Sequence, residues 1–329
     1  MSTKISLIIP TRCDEGRSKL SRLLITLKSL EAQTLDNSFF EIVVVDNGST
    51  ISIENEIEAL EIKANVTFVK SDKTGMGHGF NLGAERATGE FLFLGIDDNV
   101  LAPMTLEYHL RNARHGQISV GQERYIIHAR IFSDILEGTL DFSEDAVNTF
   151  GSGTNLGMED WFFPMHLLDR NPDILEFLST VPTEIKDIQT TFLRNDLADM
   201  HWLGMRVGNH VLAKNDFWSV GGFDTQLDDW DSWYSDLDFG IRASQRGLAF
   251  QYLPQAKTFN LTHHKTISVP NALRAHQYLV SKHAYLEVGL VPMYFGFGQD
   301  YLVSQYAQQV KRIAELTSAR TRLKGGLDG

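Results

Sequence analysis

The sequence predicts an α/β fold, a mostly parallel central sheet flanked by helices, with a helical C-terminal extension. Three observations carry this. Strand-like and helix-like segments alternate through the first hundred residues, which implies parallel strands joined by right-handed crossovers. The strand-like runs are apolar without alternation, as strands covered on both faces are. The run Phe91 to Leu94 then stops at Asp97-Asp98-Asn99, which puts clustered oxygen ligands at the carboxyl edge of the sheet, where open α/β sheets bind ligands.

Ile5 to Ile9 reads as the first buried strand, ended by Pro10. Leu20, Leu23, Leu24, Leu27 and Leu30 fall at a helical period. Phe40 to Val45 is a second strand, closed by Asp46-Asn47-Gly48-Ser49, and Val66 to Val69 is a third, after a short glutamate-rich helix over 53–62. The glycine-rich loop Lys73 to Gly79 precedes a helix over 80–87 and the strand 91–94. A helix is expected over 101–113. Further on, Val211 to Ala213 is a short apolar run, Leu237 to Ala243 a helix, and Ala249 to Leu253 a strand ending at Pro254. From Asn271 the pattern is helical, interrupted over 289–298.

Composition bounds the function. The chain has 329 residues, 43% hydrophobic, which is enough for one large domain or two modest ones. The net charge of −12 argues against binding DNA or RNA through the backbone but leaves a local phosphate site open. Cys13 is the only cysteine, so neither an internal disulfide nor a thiolate metal cluster can form, as suits a reducing compartment. Met1 to Pro10 lacks the character of a signal peptide and no run is long enough to span a bilayer, so a cytoplasmic protein is expected. Lys311, Arg312, Arg320, Arg322 and Lys324 make the C-terminal segment basic; it can pack on the domain, form a homo-oligomer contact or lie peripherally at the inner membrane face.

The chemistry rests on five places. Two adjacent carboxylates repel each other, and Mg²⁺ or Mn²⁺ at Asp97-Asp98-Asn99 would relieve this while bridging to substrate phosphates; the plainer reading is a polar turn. Asp46 can accept from a base N–H such as the imide of uracil, or simply close a turn. The glycines of Lys73 to Gly79 let backbone N–H groups approach phosphate, although the loop is neither a Walker loop nor a dinucleotide fingerprint. Asp236 can deprotonate a hydroxyl as general base, or complement a helix dipole. His263 and His264 point opposite ways in extended chain, so at most one faces a metal.

In order along the chain, these motifs resemble the family 2 glycosyltransferases, inverting enzymes of the GT-A fold. Leu7 to Arg12 looks like the opening strand of that family, and Ile42 to Ser49 like its second strand with the nucleotide-contacting acid. Asn81 to Glu90 is similar to its helix before the metal motif, and Asp97-Asp98-Asn99 sits where it has Asp-x-Asp. Val220 to Asp224 is similar to its acceptor-side turn, most like the galactosyl- and N-acetylgalactosaminyl-transferase-like branch; Asp236 to Arg242 falls at its base motif. Asn99 replaces an acid in the metal motif, Ser235 replaces the usual Glu before the base, and the metal-ligand position falls on Asn260, His263 or His264.

The resemblance implies a metal-dependent hexosyl transfer from a nucleoside diphosphate sugar, UDP-linked by default, to a glycan or other hydroxyl acceptor, as in polysaccharide biosynthesis. It implies Asp236 as base, and Pro10, Thr11, Arg12, Asp46, Lys73, Gly75, Asn81, Asp97 and Asp98 around the nucleotide sugar. Gly222, Phe223, Asp224 and Trp233 would face the acceptor, and Asp97, Asn99 and His264 would hold Mn²⁺ or Mg²⁺. Residues 1–268 would form the GT-A domain, with a nucleotide-sugar half (1–114), a variable insertion (115–207) and an acceptor half (208–268), and 269–329 the helical extension. Two other roles stand beside it: a nucleotide-sugar or glycan-binding protein that has lost catalysis, and a sugar-1-phosphate nucleotidyltransferase. The latter wants more glycine than Thr11 to Arg17 supplies.

Overall fold

The computed structural model describes residues 4–14, 19–126, 175–176, 179–261, 268–295 and 302–317. The glycine-rich stretch of sequence over 151–157, the aromatic residues of the sequence around Trp161, His263, His264 and the basic residues beyond 317 lie outside them. Among the described residues eight strands form one sheet: β1 (Ile5–Thr11), β2 (Phe40–Asp46), β3 (Asn65–Lys70), β4 (Phe91–Leu94), β5 (Asn99–Leu101), β6 (Gln117–Ile126), β7 (His210–Ala213) and β8 (Ala249–Leu261), in the order β3-β2-β1-β4-β7-β6-β8-β5. The pairs β1–β2, β2–β3, β1–β4 and β6–β8 are parallel; β4–β7, β6–β7 and β5–β8 are antiparallel. Among the described residues the α-helices of eight residues or more are α1 (Lys19–Ser29), α2 (Met76–Arg86), α3 (Thr105–Asn112), α4 (Thr183–Thr191), α5 (Ser235–Gln245), α6 (Val269–His283) and α7 (Val303–Thr317).

The apolar runs of β1, β2 and β4 feed two cores because successive side chains point to opposite faces. Ile8, Val43, Val45, Leu92 and Leu94 pack with Phe80 and Ala84 of α2 on one face. Leu7, Ile9, Ile42, Val44 and Phe93 pack with Leu23 and Leu27 of α1 and Leu106 of α3 on the other. Leu279 of α6 and Val303, Tyr306 and Val310 of α7 join the first core, so the C-terminal helices pack on the domain.

Three elements differ from the sequence expectation. The helix expected over 101–113 begins only at Thr105, because Asn99 to Leu101 pair with Thr258 to Asn260 as strand β5. The strand expected to end at Pro254 runs on to Leu261: its register against β6 jumps from Leu253 to Lys257, and this irregularity accommodates the proline. The helix expected from Phe80 begins at Met76, for a reason found across the cleft.

Candidate active site

The carboxyl ends of β1, β2 and β4 open onto a cleft of ≈ 460 Å³. Its lining from the first half includes Pro10, Thr11, Arg12, Lys19, Asn47, Gly75 and Asp97, and from the second half Asp228, Asp231 and Ser232. Pro10, Thr11, Arg12, Gly75 and Asp97 thus come together as the sequence places them. Lys73 is exposed and outside this lining.

Asp97 is the best-defined acid here. Thr11 Oγ1 donates to its Oδ2 at 2.6 Å, and Lys19 Nζ lies 3.2 Å from the same oxygen. Asp98 is buried, and its backbone carbonyl accepts from Leu261 N–H at 2.7 Å. Asp46, opposite Thr11 in the β1–β2 register, is also buried; its Oδ1 accepts from Ser49 N–H at 2.8 Å, closing the turn after β2.

Asn99 is fully buried and used by the sheet. Its Oδ1 accepts from Asn260 Nδ2 at 2.8 Å and its Nδ2 donates to Gly208 O at 3.3 Å. A metal-ligand role would need this pair broken. Asn260, an alternative ligand position, is the other half of it. His264, the third expected ligand, lies outside the described residues. Among those residues no three His, Cys, Asp or Glu side chains gather as a ligand set. One carboxylate, Asp97, therefore does not by itself fit a divalent cation; phosphates and an undescribed ligand would have to complete it.

The glycine-rich loop has a different use from the phosphate cradle expected of it. The Asp228 carboxylate accepts from Gly77 N–H at 2.9 Å and His78 N–H at 2.8 Å, and Ser232 Oγ accepts from Met76 N–H at 2.9 Å and donates to Asp228 at 2.6 Å. These bonds cap the first turn of α2 from a loop about 150 residues away in sequence, which is why the helix starts at Met76. Gly75 is needed for this closeness: its φ is +121°, and a Cβ there would lie 2.2 Å from Asp228.

Gly222, Phe223 and Asp224, expected on the acceptor side, make the following contacts within the fold. Phe223 is buried and stacks on Phe80 and Phe239 at centroid distances of 5.0 and 4.8 Å. Asn81, expected at the nucleotide sugar, holds this turn: its Oδ1 accepts from Phe223 N–H and its Nδ2 donates to Phe223 O, both at 2.8 Å. Asp224 Oδ1 accepts from Gln226 N–H at 3.0 Å, and its Oδ2 accepts from Tyr278 Oη at 2.8 Å and Lys282 Nζ at 2.5 Å on α6. Trp233 is half-buried beside Tyr234, with ring centroids 5.9 Å apart.

Asp236 is half-buried in the first turn of α5, where its Oδ1 accepts from Leu237 N–H at 2.9 Å. Asp238, two residues further along the same helix, is fully buried and is held by three basic side chains. Arg242 Nε donates to its Oδ2 at 2.8 Å, and His283 Nε2 and Lys282 Nζ each lie 2.8 Å from its Oδ1. Burial opposes its charge, yet His283, Arg242 and Lys282 together hold its pKa down at about 2. Arg242 also donates to Val220 O and Gly222 O at 2.6 and 2.7 Å. Helix α5, the glycine turn and α6 are thus one ionic assembly. Sequence reading missed Lys19, Asp228 and Asp238 as organisers; Asp238 alone left a signal, its i, i+4 spacing to Arg242.

Residues 6–149 match the model of the family described as Glycosyl transferase family 2. This stretch of the chain is thus similar to the family 2 glycosyltransferases. Two relatives are validoxylamine A glucosyltransferases. The one from Streptomyces hygroscopicus subsp. jinggangensis (strain 5008) is 25% identical over 80% of this chain and 56% of its own length. The one from Streptomyces hygroscopicus subsp. limoneus is 26% identical over 80% of this chain and 52% of its own length. The chain spans about half the length of the curated relatives it matches. Among solved structures, S. aureus TarS 1–349 in complex with UDP-GlcNAc superposes with a TM-score of 0.54 at 13% identity, covering 98% of this chain and 75% of that one. S. aureus TarS gives 0.53 at 14% identity over 97% of this chain and 44% of that one. At such identities these structures show the fold, which is the GT-A arrangement.

Proposed function

We propose that this protein is a family 2 glycosyltransferase and transfers a hexosyl group from a UDP-sugar to a hydroxyl of a glycan or other acceptor, with inversion. The observation that carries this reading is the cleft at the carboxyl ends of β1, β2 and β4, with Thr11, Arg12, Lys19 and Asp97 on one wall and the loop before α5 on the other. The glucosyltransferase names of the relatives and the UDP-GlcNAc in the TarS complex support a nucleotide-sugar donor. In this reading Asp46 receives the uracil imide and Arg12 and Lys19 face the diphosphate. The acceptor oxygen attacks the anomeric carbon, the bond from that carbon to the diphosphate oxygen breaks, and Asp236 takes the hydroxyl proton.

Asp97 would hold Mn²⁺ or Mg²⁺ with help from the donor phosphates, and the ion would supply neutralisation of leaving-group charge. The two-part organisation, 1–268 with its three segments and 269–329, belongs to the same proposal. So do a cytoplasmic setting and the basic tail as a membrane or oligomer contact. Among the described residues no helix is long and apolar enough to cross a membrane.

The test is a transfer and hydrolysis screen with UDP-galactose, UDP-N-acetylgalactosamine, UDP-GlcNAc and UDP-glucose, on wild type and Asp236→Asn. Wild type should release UDP from one donor, and the variant should lose about 10²–10⁴-fold in kcat. Wild-type turnover by Asp236→Asn would remove the base assignment. Donor binding without turnover by wild type would favour a non-catalytic binding protein, which Ser235 in place of an acid would then explain.

A further inference from the structure

The repulsion between Asp97 and Asp98 is the sequence's reason to expect a metal, and the fold supplies two cations of its own there. Lys19 and Arg22 are three residues apart on α1, which places them on one face of the helix. Lys19 Nζ is 3.2 Å from Asp97 Oδ2. Arg22 is buried within electrostatic reach of both Asp97 and Asp98. Two acids and two bases leave this corner formally neutral. Asn99, the other expected ligand, is turned into the sheet against Asn260 and Gly208. Of the two cations Lys19 lines the cleft and keeps 30% of its side chain exposed, so it is the one open to an incoming anion while Asp97 holds it.

We propose that Lys19 is the fixed cation for the departing diphosphate, and that nucleotide binding does not require a divalent metal. A lysine ammonium binds phosphate as a point charge, and preorganised charge at a leaving group needs no rearrangement during reaction. Asp97 then acts chiefly to hold Lys19 at the cleft.

This rests on the UDP-sugar reading above. It is tested by calorimetric titration of UDP into the full chain, in EDTA and in Mn²⁺, with wild type, Lys19→Met and Lys19→Arg. Wild type should bind in EDTA, with Mn²⁺ tightening Kd by less than about tenfold. Lys19→Met should bind at least about tenfold more weakly in EDTA and gain more from Mn²⁺ than wild type does, and Lys19→Arg should keep most of the EDTA-state affinity. Wild type binding UDP only with Mn²⁺ overturns the proposal while leaving the donor reading in place. Folded Lys19→Met binding like wild type in EDTA also overturns it. No UDP binding under either condition overturns both. The wild-type comparison decides the metal question even if a variant fails to fold.

Discussion

Replacing Asp238 by Asn keeps the shape of the side chain and removes the charge that Arg242, Lys282 and His283 surround. Asp238 has no exposed surface, so solvent does not screen the loss. Its pKa falls from an ordinary 3.8 to about 2 in the folded chain, a difference worth roughly 2.5 kcal/mol at neutral pH. Leaving buried charges without their partner typically costs about 3–5 kcal/mol, so the two figures bracket a loss near 3 kcal/mol. The pH dependence has a definite sign. A depressed acid stabilises the folded chain fully above its unfolded pKa and loses that stabilisation as pH falls through the folded value. Roughly half should be gone by pH 3, with the window closing near the folded value of about 2. Urea unfolding followed by tryptophan fluorescence, at pH 7 and at successively lower pH, measures the difference. We expect Asp238→Asn to be less stable by about 2–4 kcal/mol at pH 7, with the gap narrowing as pH falls. Equal stability at pH 7, or a gap unchanged at pH 3, would refute the reasoning.

Two further outcomes follow from the same geometry. Asn260→Ala removes the donor to Asn99 Oδ1 inside the sheet and should cost about 1–3 kcal/mol in urea unfolding, independent of added Mn²⁺; a stabilising effect of Mn²⁺ confined to wild type would instead favour a ligand role for this pair. Asp228→Ala uncaps α2 and should cost about 0.5–2 kcal/mol while raising the Kd for UDP, since Asp228 forms one wall of the cleft; unchanged UDP affinity would separate that wall from the donor site.

The donor half of this fold was legible because its strands are buried on both faces and its turns carry their own signals. Ile5 to Ile9, Phe40 to Val45 and Phe91 to Leu94 all appear as parallel strands where their apolar runs stand. The acids and the threonine at their ends meet at one edge because the register aligns Thr11 with Asp46 and Ile8 with Leu94. What could not be read depends on distant partners. Nothing local to Lys73 to Gly79 says that Asp228 will occupy its N–H groups. Nothing near Asn99 announces Asn260, its neighbour across β5 and β8. The turn motif at Phe223 and Asp224 marks a position in the fold, while the stacking of Phe223 on Phe80 and the bond of Asp224 to Tyr278 of α6 involve partners elsewhere in the chain. Strand β6 escaped notice because its polar half, Gln122 to Tyr125, is stabilised by pairing with β8 and not by burial of an apolar run.

The most direct measurement is an experimental structure of the full chain with UDP bound. The account predicts the uracil near Asp46 and the diphosphate in the cleft, within about 3.5 Å of Lys19 Nζ and beside Asp97. UDP bound elsewhere, or in the cleft with its diphosphate turned away from Lys19 and Asp97, would contradict it.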